Sequence, residues 1–191
     1  ADAAGLTNVT TRELDLESID EAADAYDAVL CREGLMLTSD PARASAEIAR
    51  VLRPSGRFAL SVWGPRERNP WLGLLLDSAG AVLGVPVPPP GVPGPFSLSD
   101  RDRLAAVLAG AGLAEVQVDE ASVPRSAGSF EEWWQRTVAL AGPLAKMLES
   151  LPPETRDAIR QRAEEAVRPF ATADGGLEFP GVALVASGRA A

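Results

Sequence analysis

Apolar and polar positions fall along this chain in blocks that switch between two periods. Ala28-Val29-Leu30-Cys31 and Phe58-Ala59-Leu60-Ser61-Val62-Trp63 are short apolar runs, the pattern of strands covered on both faces. Between them Ala44, Ile48, Val51 and Leu52 recur at helical spacing. Asp40-Pro41 offers an N-cap followed by proline in the first turn, and Pro54-Ser55-Gly56 stops the helix. Tyr26 to Trp63 therefore reads as strand, crossover helix and strand, a βαβ unit whose connection is right-handed.

The remaining blocks attach to that unit. Asp2-Ala3-Ala4-Gly5 reads as the last turn of a helix with its glycine cap, and Val9 to Leu14 alternates as a strand ending near Asp15. Ile19 to Ala25 is a short helix or a loop. After Trp63 comes a long connection, residues 64–98, with a helical piece through Leu72 to Leu83 and a proline run from Val85 to Pro95; a connection of this length with apolar residues reads as a lid. Ser99 is the expected cap of a helix that buries Leu104, Val107, Leu108 and Ala111 and ends at Gly110 or Gly112. Val116, Val118 and Val123 mark the next strand. Ser129 to Phe170 is mostly helical, and because Trp133 and Trp134 point apart on a helix, only one of them faces the core. Asp174-Gly175-Gly176 is a turn, and Val182 to Ser187 is a last strand, expected to run antiparallel at a sheet edge.

Composition narrows what such a domain does. Across 191 residues the net charge is −9, which disfavours nucleic acid or an anionic membrane surface as partner. Histidine is absent from the sequence, so the commonest general base and metal ligand is missing and no metal site is expected. The single cysteine, Cys31, rules out an internal disulfide and sits where packing explains it. No apolar stretch approaches the ~20 residues of a membrane span, and a soluble cytoplasmic protein is the expectation.

Four segments together resemble a known family: Asp15 at a strand end, YDAVLCREGLM at Tyr26 to Met36, DPARASAEIARVLRPSGRFALSVW at Asp40 to Trp63, and FPGVALVASG at Phe179 to Gly188. They are similar to the later two-thirds of a class I S-adenosylmethionine-dependent methyltransferase, in the branch that includes the ubiquinone and menaquinone biosynthesis enzymes. The resemblance implies an α/β, Rossmann-like sheet, mainly parallel with an antiparallel edge strand and helical insertions. Strands three to five would be Val9 to Leu14, Ala28 to Cys31 and Phe58 to Val62; strands six and seven would be Val116 to Val123 and Val182 to Ser187. In that family the strand order is three, two, one, four, five, seven, six. The glycine-rich half of the cofactor site is not among these segments, since the only Gly-x-Gly, Gly110-Ala111-Gly112, closes a helix. The expectation is a single, N-terminally truncated methyltransferase-like domain over 1–191, with segments 64–98 and 126–170 inserted over the substrate pocket. A second copy or a missing N-terminal segment would complete its sheet.

The resemblance also implies roles. Asp15 and Leu16 would contact the adenine of S-adenosylmethionine, and Cys31 and Arg32 would continue the cofactor wall. For Asp15 the competing reading is a solvated loop carboxylate or cap; for Arg32, a surface charge or a clamp on a substrate carboxylate. Glu33 is the candidate base or polar substrate contact, against a salt bridge with Arg32 or Arg66. Methyl transfer by in-line positioning needs no base at all. Trp63, Trp71 and Phe96, with Glu33, would line the acceptor pocket, and core packing explains each singly. Two functions follow. One is methyl transfer from S-adenosylmethionine to a small, largely apolar molecule, with the chain as given binding the cofactor poorly. The other is a non-catalytic relative that binds a ligand or dimerises.

Overall fold

In the computed structural model, residues 5–191 are described; the helix end read at Asp2-Ala3-Ala4 lies outside them. The βαβ unit forms where the apolar pattern put it. Strand β1 (Tyr26–Arg32) leads through a 3-10 turn to helix α1 (Pro41–Val51), and β2 (Leu52–Trp63) returns parallel to β1. Asp40 caps α1, its side chain accepting the Arg43 amide at 3.0 Å. Ala44, Ile48 and Val51 are the buried stripe of the helix. Its proline needs no amide partner in the first turn.

The four-stranded sheet has the order β1-β2-β6-β3, with β3 at Leu113–Ser122 and β6 at Val182–Ala190. β6 is antiparallel to both neighbours, so β1, β2 and β3 all point one way. This is the order four, five, seven, six that the resemblance implies. The reversed strand lies one place in from the sheet edge, between β2 and β3. Helix α2 (Pro70–Leu83) packs on α6 (Pro153–Val167), and α3 (Arg101–Gly110) packs on β3 and α1. Helices α4 (Phe130–Leu140) and α5 (Pro143–Ser150) fill the rest of the second insertion. Trp133 of α4 is buried and Trp134 half-buried, as their neighbouring positions on a helix require. A short ribbon, β4 (Arg125–Ala127) with β5 (Leu177–Phe179), ties the start of that insertion to its end.

Three expectations are corrected. Val9 to Leu14 is not a strand. Val9 and Leu14 are exposed and no strand among the described residues pairs with them; alternation without a partner buries nothing. β1 is a strand, but not one covered on both faces: only Cys31 is buried, and Leu30 is 83% exposed, because β1 has one neighbour and little packed against it. The cap of α3 is Asp100, whose carboxylate accepts the Arg103 amide at 2.7 Å, and Ser99 lies one residue too early.

Candidate functional site

Because β1 and β2 run parallel, their carboxyl ends, Arg32 and Trp63, open on the same edge of the sheet, where ligands bind in open α/β folds. Glu33 follows β1 directly and adopts a left-handed backbone with φ of 47°, uncommon for a residue with a side chain. The next strand holds it there. The Glu33 amide donates to the Ser61 carbonyl at 2.9 Å, and the Ser61 hydroxyl donates to Glu33 Oε1 at 3.0 Å. Arg32 Nε donates to Glu33 Oε2 at 3.1 Å. Both carboxylate oxygens are thus engaged, and the Arg32 ion pair weighed from the sequence is present. Arg66, the other candidate partner, pairs instead with Asp77 and donates to the Val87 carbonyl. The Arg32 side chain itself is 82% exposed.

Asp15 occupies an exposed turn next to this edge. Its Oδ1 accepts the Glu17 amide at 2.9 Å, and Asp15 bridges to Ser18. One oxygen therefore stabilises the turn, in the manner of an Asx cap. Leu16 reaches inward. A Cβ placed on Gly34 would meet Cys31 Sγ at 3.0 Å and Leu16 Cδ1 at 3.4 Å, so Leu16, Cys31 and the backbone after Glu33 form one close-packed patch. Leu16 and Cys31 are brought together at Gly34, with Asp15 and Arg32 next to them in the chain.

The preceding segment is fastened by charge. Glu47 and Arg50 of α1 form an ion pair at 2.7 Å. Arg50 also donates to the Glu21 and Ile19 carbonyls, at 2.7 and 2.8 Å, while Glu47 accepts the Ile19 amide at 2.9 Å. The hydrogen bond from the Arg50 guanidinium is the main cause that lowers Glu47 from 4.5 to about 2, helped by the Ile19 amide and opposed by desolvation.

Trp63 and Trp71 pack as a pair, and Phe96 packs near Arg66. Trp63 and Trp71 meet edge to face with ring centroids 5.1 Å apart, and both are buried. Phe96 is half-buried, with the Arg66 guanidinium 6.0 Å from its ring. Beyond Leu37, just past the end of β1, opens a cavity of about 340 Å³. It is walled by Leu76 of α2, the Val87 to Pro95 segment, and Leu140, Leu144 and Met147 of the second insertion. Its lining is overwhelmingly hydrocarbon. Trp63, Trp71 and Phe96 do not line this cavity, so the acceptor wall read from the sequence and the space itself are adjacent features.

Two residues at this edge escaped sequence reasoning. Asn69 is fully buried and joins three elements. Its amide nitrogen donates to the carbonyls of Gly64, Pro65 and Val182 at 3.2, 3.1 and 2.9 Å. Its oxygen accepts the Val182 amide at 3.0 Å. The sequence placed Asn69 only within the long connection after Trp63. Arg125 lies on Trp63 and Trp71, its guanidinium carbon 5.2 Å from each ring; a lone arginine after a proline carries no signal of its own.

Residues 1–60 match the family model described as a methyltransferase domain. No curated protein sequence matches the chain significantly. Among solved structures, a candidate methyltransferase from Bacillus halodurans C-125 is similar at 16% identity and a TM-score of 0.57, over 98% of this chain and 74% of that one. The YcgJ protein of Bacillus subtilis is similar at 20% identity and a TM-score of 0.59, over 99% of this chain and 74% of that one. The first 60 residues thus match the methyltransferase-domain family, and the chain as a whole has the class I S-adenosylmethionine-dependent methyltransferase fold.

Proposed function

We propose that this chain carries out methyl transfer from S-adenosylmethionine to a small, largely apolar acceptor, at the edge formed by the carboxyl ends of β1 and β2. The family match and the fold support the reaction class. The observation that carries the acceptor class is the hydrocarbon-lined cavity of about 340 Å³ beside Leu37, the size and character of a small-molecule site. Segments 64–98 and 126–170 both contribute walls to it, which supports reading them as the cover of the pocket.

The residues present fit one side of the cofactor. Asp15 is exposed, with one carboxylate oxygen bonded to the Glu17 amide and the other directed to no described hydrogen bond; it would accept from the adenine amino group, with Leu16 against the ring. Cys31 and Arg32 would continue that wall. When bound, S-adenosylmethionine supplies an electrophilic methyl group on a sulfonium centre. This chain's own contribution is positioning and exclusion of water. Trp63, Trp71 and Phe96 would back the walls of the acceptor cavity without lining it, and Glu33, held by Ser61 and Arg32, would offer a carboxylate oxygen to a polar group of the acceptor. A proton-taking role would require Glu33 to give up one of those bonds.

Calorimetric titration of the chain with S-adenosylhomocysteine tests this reading. Weak saturable binding is expected, with Kd on the order of 0.1 to 1 mM, reduced several-fold by Asp15→Ala. A folded chain that shows no saturation at several millimolar overturns it.

A second reading, a non-catalytic ligand-binding or dimerising module, is favoured by one observation: the outer edge of β1 carries an exposed Leu30 and no partner strand among the described residues. Sedimentation at increasing concentration tests its dimerising form, which requires a dimer that Leu30→Lys dissociates.

A further inference from the structure

Arg125 is placed unlike the other arginines at this edge. Arg32, Arg66 and Arg68 each pair with a carboxylate: Glu33, Asp77 and Glu120. Arg125 has no such partner among the described residues; its Nε, like that of Arg66, is buried without a hydrogen-bond partner, but Arg66 has the Asp77 carboxylate for its charge. Its guanidinium rests against two indole rings, Trp63 at the carboxyl end of β2 and Trp71 at the start of α2. Contact with aromatic faces compensates part of the desolvation of a cation. It leaves the in-plane N–H donors to be satisfied from elsewhere.

The surroundings connect this group to the hydrocarbon cavity. Arg125, Trp71 and Trp133 line a small cleft of about 30 Å³ together with Leu140, and Leu140 also lines the large apolar cavity. Leu140 of α4 is a wall common to both spaces. The other cation in the cleft, Arg136, is already paired with Glu132 at 2.9 Å. On its outer side Arg125 borders a wider opening shared with Ser126 and Glu178. Glu178 is exposed and makes no ion pair with Arg125 among the described residues.

We propose that Arg125 is an anion clamp, and that the acceptor carries a carboxylate at one end of an otherwise apolar body. The apolar body occupies the cavity next to Leu37. The carboxylate reaches past Leu140 to the guanidinium, whose fork of donors matches two carboxylate oxygens. Arg125 is a specificity-determining residue in this assignment, not a catalytic one. The inference rests on the apolar-cavity reading of the acceptor site and adds the charge at its end.

Two ten-carbon probes separate the parts of the assignment. Calorimetry on the 191-residue chain, below the micelle range, compares decanoate with 1-decanol. The chain's net charge of −9 works against decanoate everywhere except at a local cation. Decanoate is expected to bind about tenfold more tightly than 1-decanol, as a hydrogen-bonded charged group allows. Arg125→Met is expected to remove that preference while 1-decanol affinity stays within twofold, which also reports that the cavity is intact. Should Arg125→Met fail to fold, Arg125→Lys, which keeps the charge without the fork, is expected to lose at least threefold of the preference. Equal affinity for the two probes in the unmodified chain overturns the clamp and leaves the apolar cavity standing. A preference that survives both substitutions overturns the assignment to Arg125. Binding of 1-decanol without decanoate overturns the clamp, and failure of both probes to bind overturns the apolar-cavity reading and the clamp with it.

Discussion

Strands β1 and β6 belong to one sheet and have comparably apolar sequences, yet they live in different environments. β6 has a neighbour on each side and buries Val182, Ala183, Leu184, Ala186 and Ala190. β1 pairs only with β2, and of its seven residues one, Cys31, is buried. The difference teaches that an apolar run reports a tendency to form a strand, whereas burial depends on what the rest of the chain lays against it. The candidate edge sits where the two environments meet. Trp63, opposite Ala183 on β6, is anchored in the core, while Arg32 and Glu33 extend from the lightly covered strand. One wall of the candidate site is therefore rigid and the other rests on a few specific ties: Ser61 to Glu33, and Arg50 to the segment before β1.

Substitutions on the two strands should separate accordingly. Leu184→Ala removes a side chain that is almost wholly buried in the centre of the sheet, and is expected to cost about 2–5 kcal/mol in urea unfolding. Gly188→Ala is next. A Cβ there would meet the Ala114 carbonyl oxygen at 2.6 Å and the Phe58 ring at 2.7 Å, so the β2-β6-β3 packing must shift; a loss of about 1–3 kcal/mol is expected by the same measurement. Asn69→Ala should cost a similar or slightly smaller amount, about 1–3 kcal/mol, because it strands the buried Val182 amide, while the Val182 carbonyl keeps the Gly64 amide at 2.9 Å.

A smaller effect is expected from the acid side of β1. Glu47 is lowered from 4.5 to about 2 in the folded chain, so the unfolded chain binds the extra proton. The stability it contributes is fully present above its unfolded value and is lost as pH falls from about 4.5 toward 2. Thermal unfolding followed across that range should show a shallower decline for Glu47→Gln than for the unmodified chain. An unchanged slope would mean that Glu47 does not hold Ile19 and Arg50 in solution. The smallest effect is at Leu30: Leu30→Ala is expected to change stability by no more than about 0.5 kcal/mol, and a loss comparable to Leu184→Ala would show that β1 is covered in solution.

Much of the framework was legible because its signals were local. The Asp40-Pro41 cap and the α1 stripe lie within a few residues of what they control, and the family resemblance carried the strand order β1-β2-β6-β3; α1 ends at Val51, ahead of Pro54-Ser55-Gly56, which lies inside β2. Non-local features were not legible. Val9 to Leu14 has the alternation of a strand, and only the absence of a pairing strand among the described residues shows that it is not one. The β4-β5 ribbon joins segments about fifty residues apart through three paired residues on each strand, too short a run for periodicity to register. At the candidate edge the positions of Arg32 and Glu33, just after an apolar strand, were readable. Asn69 and Arg125 were not, because their importance comes from contacts with Val182, Trp63 and Trp71 that depend on the finished fold.

The most direct test of a ligand edge at the end of β1 is amide hydrogen exchange of the chain with and without saturating S-adenosylhomocysteine. Slowed exchange is expected in two separated segments, Leu16 to Glu17 and Arg32 to Gly34, with β6 unchanged at its already high protection. Slowing confined to other parts of the molecule, or none at either segment, would contradict a cofactor-facing wall built from Asp15, Leu16, Cys31 and Arg32.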